Sequence, residues 1–365
     1  MPEVLIVGAG IVGCAVAERL AAAGASVRVL DPRPAGQGAT QASAGVLAPY
    51  IEGHASETLR SLGRRSLDLY DGFIARASRG GPVEYHRNGT FEVALDEAGA
   101  ARLAAAAAGL AGLGVEAELV PASAIRRRAP HVSPAATAAL LVPVQGFVAA
   151  SALTAALREA ALAAGAVFEH GRVTAIARGA GKVVVATTTG AAAAERVVLA
   201  AGSWAGQIPI EGVDPPPVRP VRGQLLHLDA GVEGMDQVVW GEHCYLVPWA
   251  DGTVLVGATV EDAGFDERAT AAGVGGLLAA AAALVPPLAD AAFTAVRVGL
   301  RPWSPDDLPL VGASEAVPGL VYAIGHYRNG ILLAPLTAAL VENIVTGAAD
   351  DPALAPLSPS RFGHR

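Results

Sequence analysis

The chain has 365 residues and a formal net charge of −8, with 34 acidic against 26 basic side chains. That length suits two intimately joined domains with a large core. The acidic balance speaks against a nucleic-acid partner, since the basic clusters Arg64-Arg65 and Arg126-Arg127-Arg128 are too small to form a binding stripe. Hydrophobic residues reach 52%, yet much of this is alanine, and no run of about 18 strongly apolar residues is present to span a bilayer. The two cysteines, Cys14 and Cys244, are too few for a disulfide framework or a zinc site, and with no targeting segment the cytoplasm is the expected location.

The chain opens on an apolar strand, Val4 to Val7, that runs into Gly8-Ala9-Gly10-Ile11-Val12-Gly13. A helical run from Cys14 to Ala23 and a second apolar strand from Val27 to Leu30 follow, closed by Asp31. This is the context in which a GxGxxG pattern signals dinucleotide binding. Gly8 permits the tight turn, Gly10 lets the backbone approach a pyrophosphate, and Gly13 lets helix and strand pack closely. The helix N-terminus offers unpaired N–H groups and a positive dipole end to phosphate. Asp31 lies eighteen positions beyond Gly13, where a carboxylate accepts hydrogen bonds from a ribose. An acid there repels a 2′-phosphate, which leaves FAD or NAD. A signal peptide or membrane span is the competing reading of this apolar start, but Glu3, Glu18 and Arg19 bound it too closely.

Further along, Gly36 to Gly45 is a small-residue loop whose closeness to Asp31 suits a backbone lying flat against a ligand. Leu59, Leu62, Leu67, Leu69 and Phe73 predict a helix over Glu57 to Ala77. Asn88-Gly89 within Tyr85 to Leu95 predicts a hairpin, and Ala98 to Leu113 a surface helix. Ser151 is the expected cap of a helix that stops at Gly165. Strands are predicted at Ala166 to Glu169, Val173 to Arg178, Lys182 to Thr188 and Arg196 to Ala201, resuming the nucleotide-binding sheet. After the rigid Asp214-Pro215-Pro216-Pro217 turn, Gly223 to Leu228, Cys244 to Pro248 and Thr253 to Ala258 alternate like antiparallel strands of a second sheet. Ala295 to Gly299 is a further apolar strand, and a strand (Gly319 to Gly325), a loop (His326 to Gly330) and a helix (Ile331 to Val345) end the chain. The expected fold is mixed α/β: a Rossmann-like dinucleotide-binding domain (1–80, 146–213 and 296–365) interwoven with an antiparallel-sheet substrate domain (81–145 and 214–295).

Three side chains stand out chemically. Arg301, between Leu300 and Pro302, offers a guanidinium fork suited to a carboxylate, with a structural salt bridge as its alternative. Tyr245 in its strand reads either as a second carboxylate ligand or as core packing. Arg328 beside Asn329-Gly330 reads as a site residue or as loop structure. His243 and His326 lack a second ligand at metal spacing, so no metal is expected, and Ser203 lacks the setting of a nucleophile elbow.

The chain resembles the D-amino-acid oxidase superfamily of FAD-dependent oxidoreductases, and within it the glycine oxidases of thiamine biosynthesis. The resemblance rests on Val4 to Gly13 with Asp31, the loop Ala39 to Leu47, LAAGSW at Leu199 to Trp204, Gly223-Gln224, HCYLVP at His243 to Pro248, VGAT at Val256 to Thr259, GLRP at Gly299 to Pro302 and GHYRNGILLAP at Gly325 to Pro335. It implies that Ile11, Val12, Asp31, Pro32, Ala39, Thr40, Ala44, Gly45 and Val46 contact FAD, joined by Gly202 and Trp204. It places Val173 at the adenine end and wraps the flavin ring with His326, Tyr327, Arg328, Asn329, Gly330, Ile331 and Leu332. Arg301 and Tyr245 would bind the substrate carboxylate, with Arg328 beside them, and the last helix would aim its N-terminus at the flavin N1–C2 edge.

The FAD is expected to be noncovalent, because neither cysteine falls where a covalent link would form. The implied reaction is oxidation of a small amino acid, glycine foremost, to the imine and 2-oxo acid, with O2 reduced to H2O2 and the imine feeding thiazole formation. Val46, where relatives often carry methionine, and Trp240, where a tyrosine would be unsurprising, bear on side-chain specificity. A D-amino-acid or sarcosine-type oxidase or dehydrogenase is the alternative within the superfamily; a NAD-dependent dehydrogenase and a noncatalytic FAD-binding protein are the other classes. The expected partners are a small amino acid and O2, with neither nucleic acid nor membrane, and self-association is left open.

Overall fold

The computed structural model describes residues 2–52, 56–232, 234–348 and 350–363. Its first layer is a six-stranded sheet in the order Leu310–Ala313, Leu320–Ile324, Arg196–Leu199, Glu3–Val7, Ser26–Asp31, Val167–His170. Every neighbouring pair is parallel except the first, which is antiparallel. A parallel sheet is covered on both faces, which is why its strands are continuously apolar. Val4 and Ile6 face a core shared with the helices Ile11–Ala22, Ala150–Ala163 and Gly330–Thr346. Leu5 and Val7 face the other way, onto a three-stranded antiparallel sheet of Val173–Arg178, Val183–Thr187 and Gly190–Ala194. The Glu3–Val7 strand lies between Arg196–Leu199 and Ser26–Asp31, so successive connections leave it on opposite sides. A crevice at the carboxyl ends of the strands is the result, at the place where such folds bind ligands.

The second layer is an eight-stranded sheet in the order Ala292–Trp303, Arg219–Asp229, Thr253–Gly257, Tyr245–Pro248, Val238–Trp240, Thr90–Ala94, Ala138–Val142, Glu118–Pro121. It is antiparallel apart from the pairing of Val238–Trp240 with Thr90–Ala94. Its long ribbon pairs Arg219–Asp229 with Ala292–Trp303 from end to end. Residues 296–303, expected in the first domain, therefore continue the second sheet. Among the described residues no helix is long and apolar enough to cross a membrane.

Several local expectations are corrected. Asn88-Gly89 is not a hairpin turn: Tyr85–His86 pairs with Gly146–Val148, whereas Thr90–Ala94 pairs in the large sheet. Gly89 does adopt a positive φ of 94°, so the turn chemistry is present, but it passes the chain between two sheets. Ser151 does not cap its helix, which starts at Ala150 with Ala149 at the cap position and no side-chain bond. The helix predicted over Glu57 to Ala77 is two, Glu57–Asp68 and Tyr70–Ala77, the first capped by Ser56 Oγ accepting from the Leu59 N–H at 3.2 Å.

These two helices repair a defect in the last one. Pro335 sits inside Gly330–Thr346 and has no N–H to donate to the Ile331 carbonyl four residues back. The Tyr70 hydroxyl donates to that oxygen instead, at 2.6 Å. Ser66 Oγ bridges the next turn, donating to the Leu332 carbonyl at 2.6 Å and accepting from the Leu336 N–H at 3.3 Å. Both side chains are fully buried, and burial holds the Tyr70 phenol well above its usual pKa, so it keeps the proton it donates. Tyr70→Phe leaves the Ile331 carbonyl buried without a partner; urea unfolding should show a loss of about 1–3 kcal/mol, and an unchanged midpoint would contradict this repair.

Candidate functional site

A cavity of ≈ 620 Å³ opens between the two layers, lined by the carboxyl ends of the parallel strands, the loop 37–46, the 326–331 segment and one face of the large sheet. Every residue expected at the dinucleotide or substrate lines it except Gly13 and Leu332. Gly13 lies beneath the surface: a Cβ there would overlap the Gly8 carbonyl oxygen, so its task is to seat the first helix on the first strand. Leu332 is buried in the core among the last helix and its neighbours, and its backbone serves the Ser66 bridge.

The turn between the first strand and helix follows from backbone geometry. Gly8 has φ +109°, and a Cβ on it would overlap the Ala200 carbonyl oxygen. Its N–H donates to the Leu30 carbonyl at 2.8 Å, tying two strand ends together. Gly10 caps the helix without a side chain, and the Ile11 N–H finds Thr40 Oγ1 at 3.1 Å. Asp31 is fixed by the Ala9 N–H on one carboxylate oxygen and the Arg33 N–H on the other, both at 2.7 Å. Each oxygen keeps acceptor capacity for a further donor. Glycines for close approach, a helix N-terminus and an anchored acid in one cavity fit a dinucleotide.

At the opposite layer, two side chains lie flat across glycines. The Arg301 guanidinium covers Gly223, and a Cβ on Gly223 would overlap it. Its Nη1 donates to the carbonyl oxygens of Thr259 at 2.9 Å and Arg222 at 3.3 Å. The Tyr245 phenol covers Gly257, its cross-strand partner, in the same way. The Trp240 ring packs on it with centroids 4.8 Å apart. Arg328 lines the cavity with its guanidinium 5.5 Å from the Tyr327 ring centroid.

Sequence reasoning missed the support beneath Arg301. Glu261 accepts from Thr259 Oγ1 at 2.5 Å, from Gln224 Nε2 at 2.7 Å and from Arg222 Nη2 at 2.5 Å. Arg222 is 8% exposed and also pairs with Asp266 at 3.1 Å. This network fixes Thr259, whose carbonyl holds Arg301. The Gly223-Gln224 and Val256-to-Thr259 motifs were the visible trace of it.

The last helix opens on the cavity with Asn329 at its cap position and no side-chain bond to its first N–H groups. The Tyr327 N–H donates to the Pro302 carbonyl at 2.8 Å, joining this loop to the strand that carries Arg301. His326 is buried against Thr337 Oγ1 at 2.9 Å, and burial lowers its pKa to about 4. Cys244 lines the cavity, but burial pushes it, like Cys14, up to about 12, so both are thiols and not nucleophilic thiolates. No group of His, Cys, Asp and Glu among the described residues is arranged to hold a metal.

A dinucleotide-type turn and the Arg301 guanidinium share one cavity. The FAD dependent oxidoreductase (DAO) family matches residues 3–344, and the chain belongs to this family. It is 34% identical over 364 residues to the glycine oxidase of Geobacillus kaustophilus (strain HTA426), covering 98% of this chain and 97% of that one. The crystal structure of glycine oxidase from Geobacillus kaustophilus superposes with a TM-score of 0.94 at 33% identity, covering 99% and 98% of the two chains. The bifunctional protein ThiO/ThiG of Trichormus variabilis is 33% identical over 375 residues, 99% of this chain and 55% of its own length.

His326 makes stability depend on pH. Its folded-state pKa of about 4 lies below the ordinary 6.5, so the unfolded chain takes up this proton first as pH falls. The neutral ring's contribution is complete above about pH 6.5 and lost progressively towards pH 4, by about 3 kcal/mol. His227, lowered to about 4 by burial and then by Arg297, adds a second limb of the same sign. Unfolding measured between pH 7 and 4 should therefore show a shallower acid limb in His326→Gln, with the His227 part retained; identical limbs would contradict the assignment.

Proposed function

We propose that this FAD-dependent enzyme oxidises a small amino acid, glycine foremost, to its imine, with O2 as the electron acceptor. The observation that carries the reading is the pair of side chains laid across glycines, Arg301 on Gly223 and Tyr245 on Gly257, facing the cavity that holds the dinucleotide turn. When bound, FAD supplies the two-electron acceptor and its return to the oxidised state by O2.

The protein's own part is binding and orientation. Gly8, Gly10 and the first helix hold the pyrophosphate, Asp31 the ribose, Val173 the adenine end, and the segments 39–46 and 326–331 the ring. Domains follow the same division, with the six-stranded layer as the FAD-binding part and the eight-stranded layer as the substrate part. Nη1 of Arg301 is fixed on two carbonyls, which leaves the rest of the fork to grip a carboxylate in one plane. Tyr245 adds a hydroxyl to that grip. The last helix's N-terminus favours negative charge on the cavity side. The places of the two cysteines support noncovalent FAD: Cys14 lies in the first helix outside the cavity lining, and Cys244 lies beside Tyr245 in the second layer. The bifunctional ThiO/ThiG relative supports a thiamine role for the imine, with a D-amino-acid or sarcosine-type preference as the second reading.

Peroxide formation with glycine, and with methylamine as the carboxylate-free control, tests the proposal. Charge-assisted bonds contribute about 1.5–3 kcal/mol each, so Arg301→Ala should lower kcat/KM on the order of a hundredfold or more, chiefly through KM. Gly223→Ala, which displaces the guanidinium without removing it, should raise KM by roughly tenfold, a loss of about 1.4 kcal/mol. Equal activity on methylamine, or normal kinetics in Arg301→Ala, would contradict the carboxylate site.

A further inference from the structure

Residues 258–270 join the Thr253–Gly257 strand to the Ala271–Leu284 helix and form no helix or strand of their own. They are pinned to the second layer along their length. Arg222 and Glu261 exchange backbone hydrogen bonds at 2.9 and 3.0 Å, and the Arg222 guanidinium reaches the Asp266 carboxylate at 3.1 Å. The Thr270 N–H donates to Gln224 Oε1 at 2.9 Å. From this frame two side chains cross to the first layer. Glu267 accepts from both Nη groups of Arg33, each at 2.9 Å. Phe265 packs on Trp204 with ring centroids 5.9 Å apart, and the Arg33 guanidinium lies 4.4 Å from the Trp204 ring centroid. Arg33 and Trp204 both line the cavity that contains the dinucleotide turn.

Arg33 joins this contact to the acid that would hold the ribose. Its N–H donates to Asp31 Oδ1 at 2.7 Å, while its side chain is bound to the other layer. Glu267 meets the guanidinium end-on with both carboxylate oxygens, so the fork serves the contact between layers and not a phosphate. The layers are thus tied together directly beside Asp31. The two side chains are 34% and 33% exposed, and Phe265 is 40% exposed, so water and salt reach the contact. A pair in that setting holds weakly enough to part. We propose that residues 258–270 are a clasp that retains FAD: Glu267 must leave Arg33, and Phe265 must leave Trp204, before the adenosine end of the cofactor enters or departs. Glu267 and Phe265 are positioning residues that act through Arg33 and Trp204. The inference rests on the placement of the ribose at Asp31 and does not depend on amino-acid oxidation.

The test follows the rise in flavin fluorescence as FAD leaves the diluted holoenzyme, with no substrate present. Glu267→Gln keeps Arg33 and removes the charge it grips; release should be on the order of fivefold faster at low salt. Phe265→Ala should also release FAD faster. At about 1 M salt, where screening acts within a few ångström, the wild type and Glu267→Gln should converge. Arg33→Met combined with Glu267→Gln should release FAD no faster than Arg33→Met alone, because both changes open the same contact. Wild-type release from Glu267→Gln or from Phe265→Ala, a gap between wild type and Glu267→Gln that salt does not close, or additive effects in the double variant would overturn the clasp. Asp31→Asn tests the ribose placement separately and should speed release with the clasp intact. An unchanged rate there would refute that placement, while Glu267→Gln would still decide the clasp.

Discussion

The site depends on contacts that a single extra carbon would forbid. In the parallel layer, the first helix reaches its strand only because Gly13 lets its backbone meet the Gly8 carbonyl, and Gly8 turns against Ala200. In the other layer, Arg301 and Tyr245 occupy the volume that side chains at Gly223 and Gly257 would take. Overpacking at such points costs about 1–3 kcal/mol. The first pair of glycines brings N–H groups and Asp31 to the cavity; the second lets two polar side chains lie flat against the sheet. The cavity is bounded by two layers that each gave up side-chain volume at the same place.

Rigidity around that cavity comes from buried polar groups satisfied one by one. The last helix carries a proline close to its cavity end; Tyr70 donates to the carbonyl that Pro335 leaves without a partner, and Ser66 bridges the next turn. His326, also neutral and buried, ties the loop before that helix to Thr337 within it. Beneath Arg301, Arg222 and Glu261 form an ion pair whose further bonds reach Gln224 and Thr259. Breaking one partner of such a buried pair leaves an uncompensated charge and costs about 3–5 kcal/mol. Arg222 and Glu261 thus position Arg301 without lining the cavity themselves.

Much of this was legible in the chain. The opening strand, glycine turn, helix and Asp31 are local features, and local physics places them. Arg301 and Tyr245 stood out as polar groups in apolar strands, and both line the cavity. What escaped notice is tertiary. Asn88-Gly89 carries a true turn signal, but turn chemistry does not say which strand receives the chain afterwards. The Ala271–Leu284 helix is almost all alanine, glycine and leucine, with no polar face to give a period, and went unpredicted. Gly223 and Gly257 sat inside recognisable motifs, while their task depends on a side chain arriving from another strand. Leu332, which the resemblance places at the ring, has its side chain in the core, one residue further along the helix than the cavity-lining Ile331.

The most direct test of the account is anaerobic mixing of the FAD-loaded protein with glycine, following the visible flavin band. If one cavity holds the dinucleotide beside a carboxylate grip, glycine bleaches that band without air, and admitting O2 restores it. A flavin spectrum left unchanged by glycine, by sarcosine and by small D-amino acids would contradict the account.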